Sequence, residues 1–158
     1  MLGDLDCTVE IDEAKIGKRK FQKGRLITEQ WIFGNIERET GKLFIECVSN
    51  RSAETLLTVI QKWIKPGTTI VSDCWKAYKC LEAEGYKHIT VNHSYNFVDP
   101  ESKAHTQNIE RVWRDISRYG TRKQHYTGYI TEFLFKRKFL FSERIFFDIM
   151  EKYYLPLL

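Results

Sequence analysis

Three acidic side chains occupy positions from which carboxylates could do chemistry together. Asp12 ends the alternating stretch CTVEID, and Asp73 ends the apolar stretch TTIVSD. Both stretches are typical of β-strands, and ligands of open α/β sheets collect at the carboxyl ends of strands. Glu110 lies in AHTQNIERVW, where an apolar stripe at helical spacing predicts the start of a helix. Carboxylates held close together repel one another unless a cation lies between them, so these acids predict a divalent-metal site.

The periodicity of the chain predicts the elements that must position these acids. Three strands come first, and two further strands follow, each after a helix. The first two strands are joined by a basic loop or hairpin tip, GKRKFQKGR, and the second and third by a tight turn at ETG. This order, β-β-β-α-β-α-β-α-α with one more helix at the end, predicts an α/β mixed sheet with helices on both faces and an aromatic-rich helical C-terminus. The predicted strands are 7–12, 31–38, 42–48, 68–73 and 88–91, and the predicted helices are 52–64, 75–85, 106–118, 126–139 and 143–154.

Among known folds this order matches the ribonuclease-H-like arrangement, in which three antiparallel strands are followed by parallel additions. There the first and fourth strands lie side by side, so Asp12 and Asp73 would be neighbours although about 60 residues separate them. The alternative for either acid alone is a strand that simply ends in solvent. The fold analogy does not decide between these, because one fold supports many functions.

Composition limits the class of protein. The chain has 158 residues, of which 42% are hydrophobic and 29% charged, which is typical of one globular domain spanning 1–158. None of its four cysteines forms a CxxC pair, so we expect buried free thiols, neither a zinc site nor a disulfide framework. We find no secretory signal and no apolar run of about 18 residues, which predicts an intracellular protein without membrane partners.

Basic residues are concentrated in two regions. The stretch from Lys15 to Arg25 contains six cations and no acid, and a second basic region runs from Lys103 to Lys138. The net charge of +4 is modest, so a solvated surface is the alternative to phosphate contacts. Trp75 and Trp113 could stack on bases, although their apolar neighbours favour packing. The candidate DNA-binding residues are Lys15, Lys18, Arg19, Lys20, Lys23, Arg25, Arg111 and Arg114.

Four stretches, in order and at suitable spacing, resemble the catalytic domain of DDE transposases of the Merlin type and their bacterial insertion-sequence relatives. They are VEIDEAKIGKRKFQKGR, WIFGNIERETGKLFIECV, IVSDCWKAY and FVDPESKAHTQNIERVWRDI. The resemblance implies that Asp12, Asp73 and Glu110 bind two Mg²⁺ or Mn²⁺ ions. It implies in-line attack of water or a 3′-hydroxyl on a phosphodiester of double-stranded DNA, at transposon ends and target, by a homo-oligomer.

Several alternatives stay open within that resemblance. Some relatives carry Asn as the third ligand, so Asn108 and Gln107 compete with Glu110, although a neutral amide is the weaker ligand for a hard cation. His93 and His105 are possible auxiliary residues. The usual N-terminal DNA-binding region is expected to be absent, because the first strand starts so early. A degenerate or domesticated remnant that binds DNA or protein without catalysis is therefore the alternative function.

A nuclease of ribonuclease-H-like type that acts outside transposition would share the same metal chemistry and differ in substrate. The expected location is the nucleus for a eukaryotic protein and the cytoplasm for a bacterial one.

Overall fold

The computed structural model describes residues 1–16, 29–73, 76–91, 105–117 and 125–139. Five strands in these ranges form one sheet with the order β3-β2-β1-β4-β5. The strands are β1 (Thr8–Ile16), β2 (Gln30–Glu37), β3 (Leu43–Val48), β4 (Thr69–Asp73) and β5 (Lys87–Val91), and the helices are α1 (Ala53–Trp63), α2 (Gln107–Ile116) and α3 (Tyr126–Phe139), with a 3₁₀ segment at Lys76–Cys80.

Strand directions agree with the predicted order. β1, β2 and β3 pair antiparallel, while β4 pairs parallel with β1 on one side and with β5 on the other. Gly41 has φ +68° in the turn between β2 and β3, a conformation that glycine adopts without steric cost. The mixed sheet, with β1 between β2 and β4 and helices on both faces, is ribonuclease-H-like.

Two hydrophobic cores lie on opposite faces of the sheet. The first core lies between one face of the sheet and α1 with the 3₁₀ segment, and it includes Ile11, Phe33 and Ile60. The second core lies between the other face and α2 with α3, and it includes Ile32 and Ile109. The sheet is therefore covered on both sides in its centre, and every position of a central strand can be buried.

The apolar–polar alternation of CTVEID predicts a half-buried β1 with Glu10 and Asp12 facing solvent, and this prediction is wrong. Glu10, on the face expected to meet solvent, has no exposed surface, because α2 lies over it. The strand also continues to Ile16, since β2 pairs with it as far as Gln30. Asp12 consequently lies inside β1 and not at its end, whereas Asp73 is the last residue of β4 as predicted.

The predicted helix 75–85 is also wrong in type. Lys76–Cys80 is a 3₁₀ segment, and turns follow it to Gly85. Tyr78 is the buried side chain of this segment, and Leu81, three residues further on in the turn that follows, is buried as well. The predicted start of α1 is confirmed, because the Ser52 hydroxyl accepts a hydrogen bond from the Thr55 N–H at 3.3 Å.

Some predictions fall outside the described residues. These include the helix 143–154, most of the basic loop, and the loop 92–103 with His93. Cys7, Cys47 and Cys80 are free thiols, as expected, but they are half-buried, whereas full burial was expected. None of the helices in the described ranges combines the length and the apolarity needed to cross a bilayer. The candidate residues outside the description are Lys18, Arg19, Lys20, Lys23, Arg25, Trp75 and His93.

Candidate active site

The parallel pairing of β1 with β4 brings Asp12 level with Asp73. Val9 pairs with Ile70 and Glu10 with Val71, and the same register continued two residues further places the two aspartates side by side. Because side chains alternate along a strand, residues that share a level in a parallel pair point to the same face. The acids predicted to be neighbours are therefore brought together on the α2 face of the sheet.

The carboxylate of Asp12 is held by two donors. The indole N–H of Trp113 donates to Oδ2 at 2.7 Å, and the backbone N–H of Glu13 donates to Oδ1 at 2.9 Å. Burial raises the pKa of Asp12 to about 7, the Trp113 hydrogen bond opposes that rise, and the negative charges of Glu13 and Asp73 add to it. The ionised form is thus disfavoured where a cation would stabilise it.

Trp113 reaches Asp12 because the neighbouring strand offers no side chain in its way. Gly34 of β2 pairs with Asp12, and a Cβ built on Gly34 would lie 2.4 Å from the Trp113 ring. The indole can therefore approach β2 closely and still donate to Asp12 on the adjacent strand β1. The prediction that Trp113 packs in the core is confirmed, with the added finding that its N–H orients an acid of the site.

Glu110 is half-buried in the first turn of α2. Its Oε1 accepts a hydrogen bond from the hydroxyl of Thr106 at 3.1 Å. Trp113 lies three residues further along the same helix, and residues three apart are neighbours on a helix surface. One helix therefore carries both the indole that holds Asp12 and the third predicted acid.

The described side chains do not form a complete metal centre. In these ranges, no group of three or more His, Cys, Asp and Glu side chains is arranged to hold a metal ion. The pair of Asp12 and Asp73 fits a divalent cation by its chemistry, since a cation between them would offset both the repulsion and the cost of burying charge. The predicted triad is thus represented here by an assembled pair and by Glu110 on the adjacent helix.

Glu10 forms a buried cluster that the sequence did not suggest. Its Oε1 accepts from Arg38 Nε at 2.8 Å and from Asn108 Nδ2 at 2.8 Å. Its Oε2 accepts from the backbone N–H groups of Asn108 at 3.0 Å and Ile109 at 3.1 Å. A carboxylate with no exposed surface is thereby matched by a cation and by the amino end of α2.

Glu13 forms a second cluster on the opposite face of β1. It accepts a hydrogen bond from the hydroxyl of Tyr78, and Arg51 Nη1 lies 3.6 Å from its Oε1. Burial raises the pKa of Glu13, the Tyr78 hydrogen bond opposes this, and the charge of Asp73 adds to it. Tyr78 follows Asp73 closely in sequence, so this contact links the segment after β4 to β1.

The other predicted candidates are placed as follows. Asn108 donates both its side-chain and backbone N–H groups to Glu10, and Gln107 is exposed. His105 is half-buried, with Nδ1 at 3.5 Å from Glu10 Oε1, and its carbonyl accepts from Arg38. His105 thus lies just before α2, and its auxiliary role stays a prediction.

The described basic candidates differ in their surroundings. Lys15 forms an ion pair with Glu29, and its Nζ lies 5.4 Å from the centroid of the Trp31 ring. Arg111 and Arg114 are exposed on α2, the helix that carries Glu110. Two exposed cations therefore lie on the same helix as Glu110.

Two sequence signals could have revealed more of this site. A glycine inside a strand, as in WIFGNIER, often marks the close approach of another group, here Trp113. The second signal is the group of three acids in one central strand: Glu10, Asp12 and Glu13. Alternation alone would place acids on one face of the strand, but Glu13 falls on the opposite face from Glu10 and Asp12. The partners of Glu10 and Glu13, which lie far away in sequence, gave no such signal.

A different concave surface lies apart from these residues. It is a cleft at the β3 edge, lined in part by Phe44, Trp63, Leu134 and Arg137, with Phe44 and Trp63 stacked at 3.5 Å between ring centroids. None of the predicted site residues lines it. This cleft at the sheet edge is therefore separate from the candidate active site, whose acids lie on β1, β4 and α2.

Comparison with solved structures finds retroviral integrases. The catalytic core domain of BIV integrase is 18% identical, with a TM-score of 0.45, over 70% of this chain and 66% of that chain. The HTLV-2 integrase catalytic core domain in complex with magnesium, in its trimeric form, is 14% identical, with a TM-score of 0.46 and the same coverage. This chain spans just under two thirds of the length of those integrase chains.

Comparison of sequences finds transposases. A curated transposase-like protein of Haemophilus influenzae is 27% identical over 96 residues, which are 58% of this chain and 76% of that protein. The predicted relation to transposases is confirmed, while its narrower Merlin-type assignment stays a prediction. Because the model of the ISXO2-like transposase domain matches residues 2–138, most of the chain, the protein belongs to the ISXO2-like transposase family.

Proposed function

We propose that this chain is a DDE-type catalytic domain that cleaves DNA and transfers strands at transposon ends. The observation that carries the proposal is the pair of Asp12 and Asp73, set level by the register of β1 and β4; burial raises the pKa of Asp12 to about 7, and the charges of Glu13 and Asp73 add to that rise. Such a pair is costly to fold unless it serves a cation, and perturbed carboxylates are concentrated at functional sites.

Asp12, Asp73 and Glu110 would hold two Mg²⁺ or Mn²⁺ ions in this proposal. The bound ions would activate a water or 3′-hydroxyl and neutralise charge on the leaving oxygen of a phosphodiester. Trp113 fixes one oxygen of Asp12, and Thr106 orients Glu110. These contacts hold the acids in defined orientations, so that little rearrangement is needed when DNA and metal arrive.

Double-stranded DNA is the proposed substrate, and a homo-oligomer that pairs two ends is the proposed active form. Arg111 and Arg114 support the first part, because both are exposed on the helix that carries Glu110. Replacing both with Gln should weaken DNA binding and reduce its salt dependence, since each lost phosphate contact lowers the slope by about one. Filter binding at several salt concentrations measures both quantities, and an unchanged slope would remove these residues from the interface.

Nicking of duplex DNA that carries the element's own ends tests the catalytic proposal. Asp73→Asn should abolish Mn²⁺-dependent nicking, because the remaining ligands cannot balance two cations. Asp6→Asn, which changes an exposed acid outside the site, is the matched control and should nick at the parent rate. A parent that neither nicks nor binds Mn²⁺ in a calorimetric titration would favour the non-catalytic remnant, and an active Asp73→Asn would refute the triad.

A further inference from the structure

The amino end of α2 lacks the side-chain cap that its own sequence offers. Thr106 occupies the N-cap position, where a threonine hydroxyl normally accepts from the N–H groups of the second or third helical residue. The Thr106 side chain makes no such hydrogen bond. It donates instead to Glu110 Oε1, at 3.1 Å.

The carboxylate of Glu10 takes the place of that cap. Its Oε2 accepts from Asn108 and Ile109, which are the second and third residues of α2. The acceptor comes from the central strand, 98 residues before Asn108 in sequence. The two donors would otherwise be N–H groups at a largely buried helix end, which cost free energy when unpaired.

Arg38 makes the arrangement rigid from the side of β2. Its Nε donates to Glu10 Oε1 at 2.8 Å, and its Nη2 donates to the carbonyl of His105, just before the helix. The side chain of Asn108 donates to the same Oε1, at 2.8 Å. Both oxygens of Glu10 are thus engaged, and the helix cannot slide along β1 without breaking several of these contacts at once.

We propose that Glu10 is a positioning residue: its buried carboxylate caps α2, which fixes Trp113 against Asp12 and leaves Thr106 to hold Glu110. Glu10 and Asp12 lie two residues apart on one strand and face the same helix. One junction between β1 and α2 therefore sets the relative position of two of the three proposed metal ligands. The proposal rests on the proposed function for the identity of those ligands.

The main test compares Glu10→Gln with Glu37→Gln in the full chain. Glu37 is a matched control, since it is a buried carboxylate on the adjacent strand that accepts a backbone N–H, from Gly3 at 2.6 Å. Its other polar partners are Thr40 and Lys42, which follow it in sequence and lie outside α2. Glu10→Gln should weaken Mn²⁺ binding by about 10–100-fold, the range for residues that orient metal ligands. Glu37→Gln should leave Mn²⁺ affinity unchanged.

A spectroscopic signal reads the same junction without metal or DNA. In ¹⁵N-labelled metal-free protein, the indole N–H resonance of Trp113, assigned by its loss in Trp113→Phe, reports the hydrogen bond to Asp12. Glu10→Gln should move this resonance toward that of a solvent-exposed indole, and Glu37→Gln should not. A folded Glu10→Gln that keeps both the resonance and the affinity overturns the proposal, as does an equal loss in Glu37→Gln.

Thr106→Val keeps the proposal testable if Glu10→Gln fails to fold. This variant removes the hydroxyl that holds Glu110 but leaves the cap from Glu10 in place. We expect weaker Mn²⁺ binding together with a small loss of unfolding free energy, the net value of one hydrogen bond. An unchanged Mn²⁺ affinity would mean that Thr106 does not hold Glu110 and would overturn the assignment. A parent without Mn²⁺ affinity would refute the proposed function, while the Trp113 resonance would still decide the role of Glu10.

Discussion

Two buried glutamates on β1, Glu10 and Glu13, lie on opposite faces of the same strand and are stabilised in different ways. Glu10 has a cation, a side-chain amide and two helix N–H groups within hydrogen-bond distance. Glu13 has one hydroxyl, and a guanidinium 3.6 Å away. Glu10 ties β1 to α2, the helix that carries Glu110, whereas Glu13 ties β1 to the 3₁₀ segment that follows Asp73. The difference indicates a rigid junction with α2 on one face of β1 and a looser junction with the 3₁₀ segment on the other.

Removing each carboxylate is the strongest test of this difference. Glu10→Ala should lower the free energy of unfolding by about 3–5 kcal/mol, because it leaves Arg38 and the end of α2 without their partner in a buried place. Glu13→Ala should cost less than half of that, since it also relieves repulsion with Asp73. Urea denaturation of both variants measures the two values. Equal losses would show that the two faces do not differ.

Asp12 lies between these two junctions, and its titration should measure the free energy that ionising a carboxyl at the site costs the folded protein. Its pKa is about 7 in the folded protein and near 3.8 in an unfolded chain, so the folded state keeps a proton between those values. Metal-free protein should therefore lose stability as pH rises from about 4 to 7. Asp12→Asn should remove this loss and be more stable than the parent at about pH 8, by at most about 4 kcal/mol, since one pKa unit corresponds to about 1.4 kcal/mol.

The measurement for Asp12 is the difference in unfolding free energy between Asp12→Asn and parent, in EDTA, across that pH range. His88, whose pKa is lowered by burial, titrates in both proteins and largely cancels in the difference. Glu13 does not cancel, because its charge adds to the raised pKa of Asp12, so the difference reports Asp12 together with its coupling to Glu13. A difference that stays constant with pH would mean that Asp12 is not buried as a neutral acid.

Tyr78→Phe gives the smallest expected effect and tests the looser junction alone. Loss of its hydroxyl should reduce the free energy of unfolding by about 1 kcal/mol, the net value of one hydrogen bond. Because this hydrogen bond holds down the pKa of Glu13, that pKa should rise further in the variant. NMR titration of the Glu13 carboxyl measures the shift, and a lowered pKa would contradict the contact.

Much of the fold follows from local patterns in the sequence. The alternation in WIFGNIER and the apolar run in TTIVSD predicted β2 and β4 within one or two residues, and Ser52 marked the start of α1. The adjacency of Asp12 and Asp73 then followed from the order of strands. These features depend on periods of two and 3.6 residues, which a short window contains.

The remainder depended on long-range contacts. Alternation assigned Glu10 to the solvent face, because no nearby residue reveals that a helix 98 positions later covers it. The stretch after Asp73 contained apolar residues at spacings compatible with α-helix or 3₁₀-helix, and the contact of Tyr78 with the distant Glu13 had no local signal. The indole N–H of Trp113 likewise acquires its partner only after β1, β2 and α2 have packed.

The parallel ladder between β1 and β4 has a consequence for insertions and deletions. Only three residue pairs, from Thr8 with Thr69 to Glu10 with Val71, set the level of Asp73 against Asp12. One residue added within β4 would turn Asp73 to the opposite face, because side chains alternate strictly along a strand. Added residues in the β2–β3 turn or before β4 would leave that level intact. The number of residues between the two acids can therefore change in those connections without moving Asp73 relative to Asp12. An insertion or deletion within the five residues of β4 would move it.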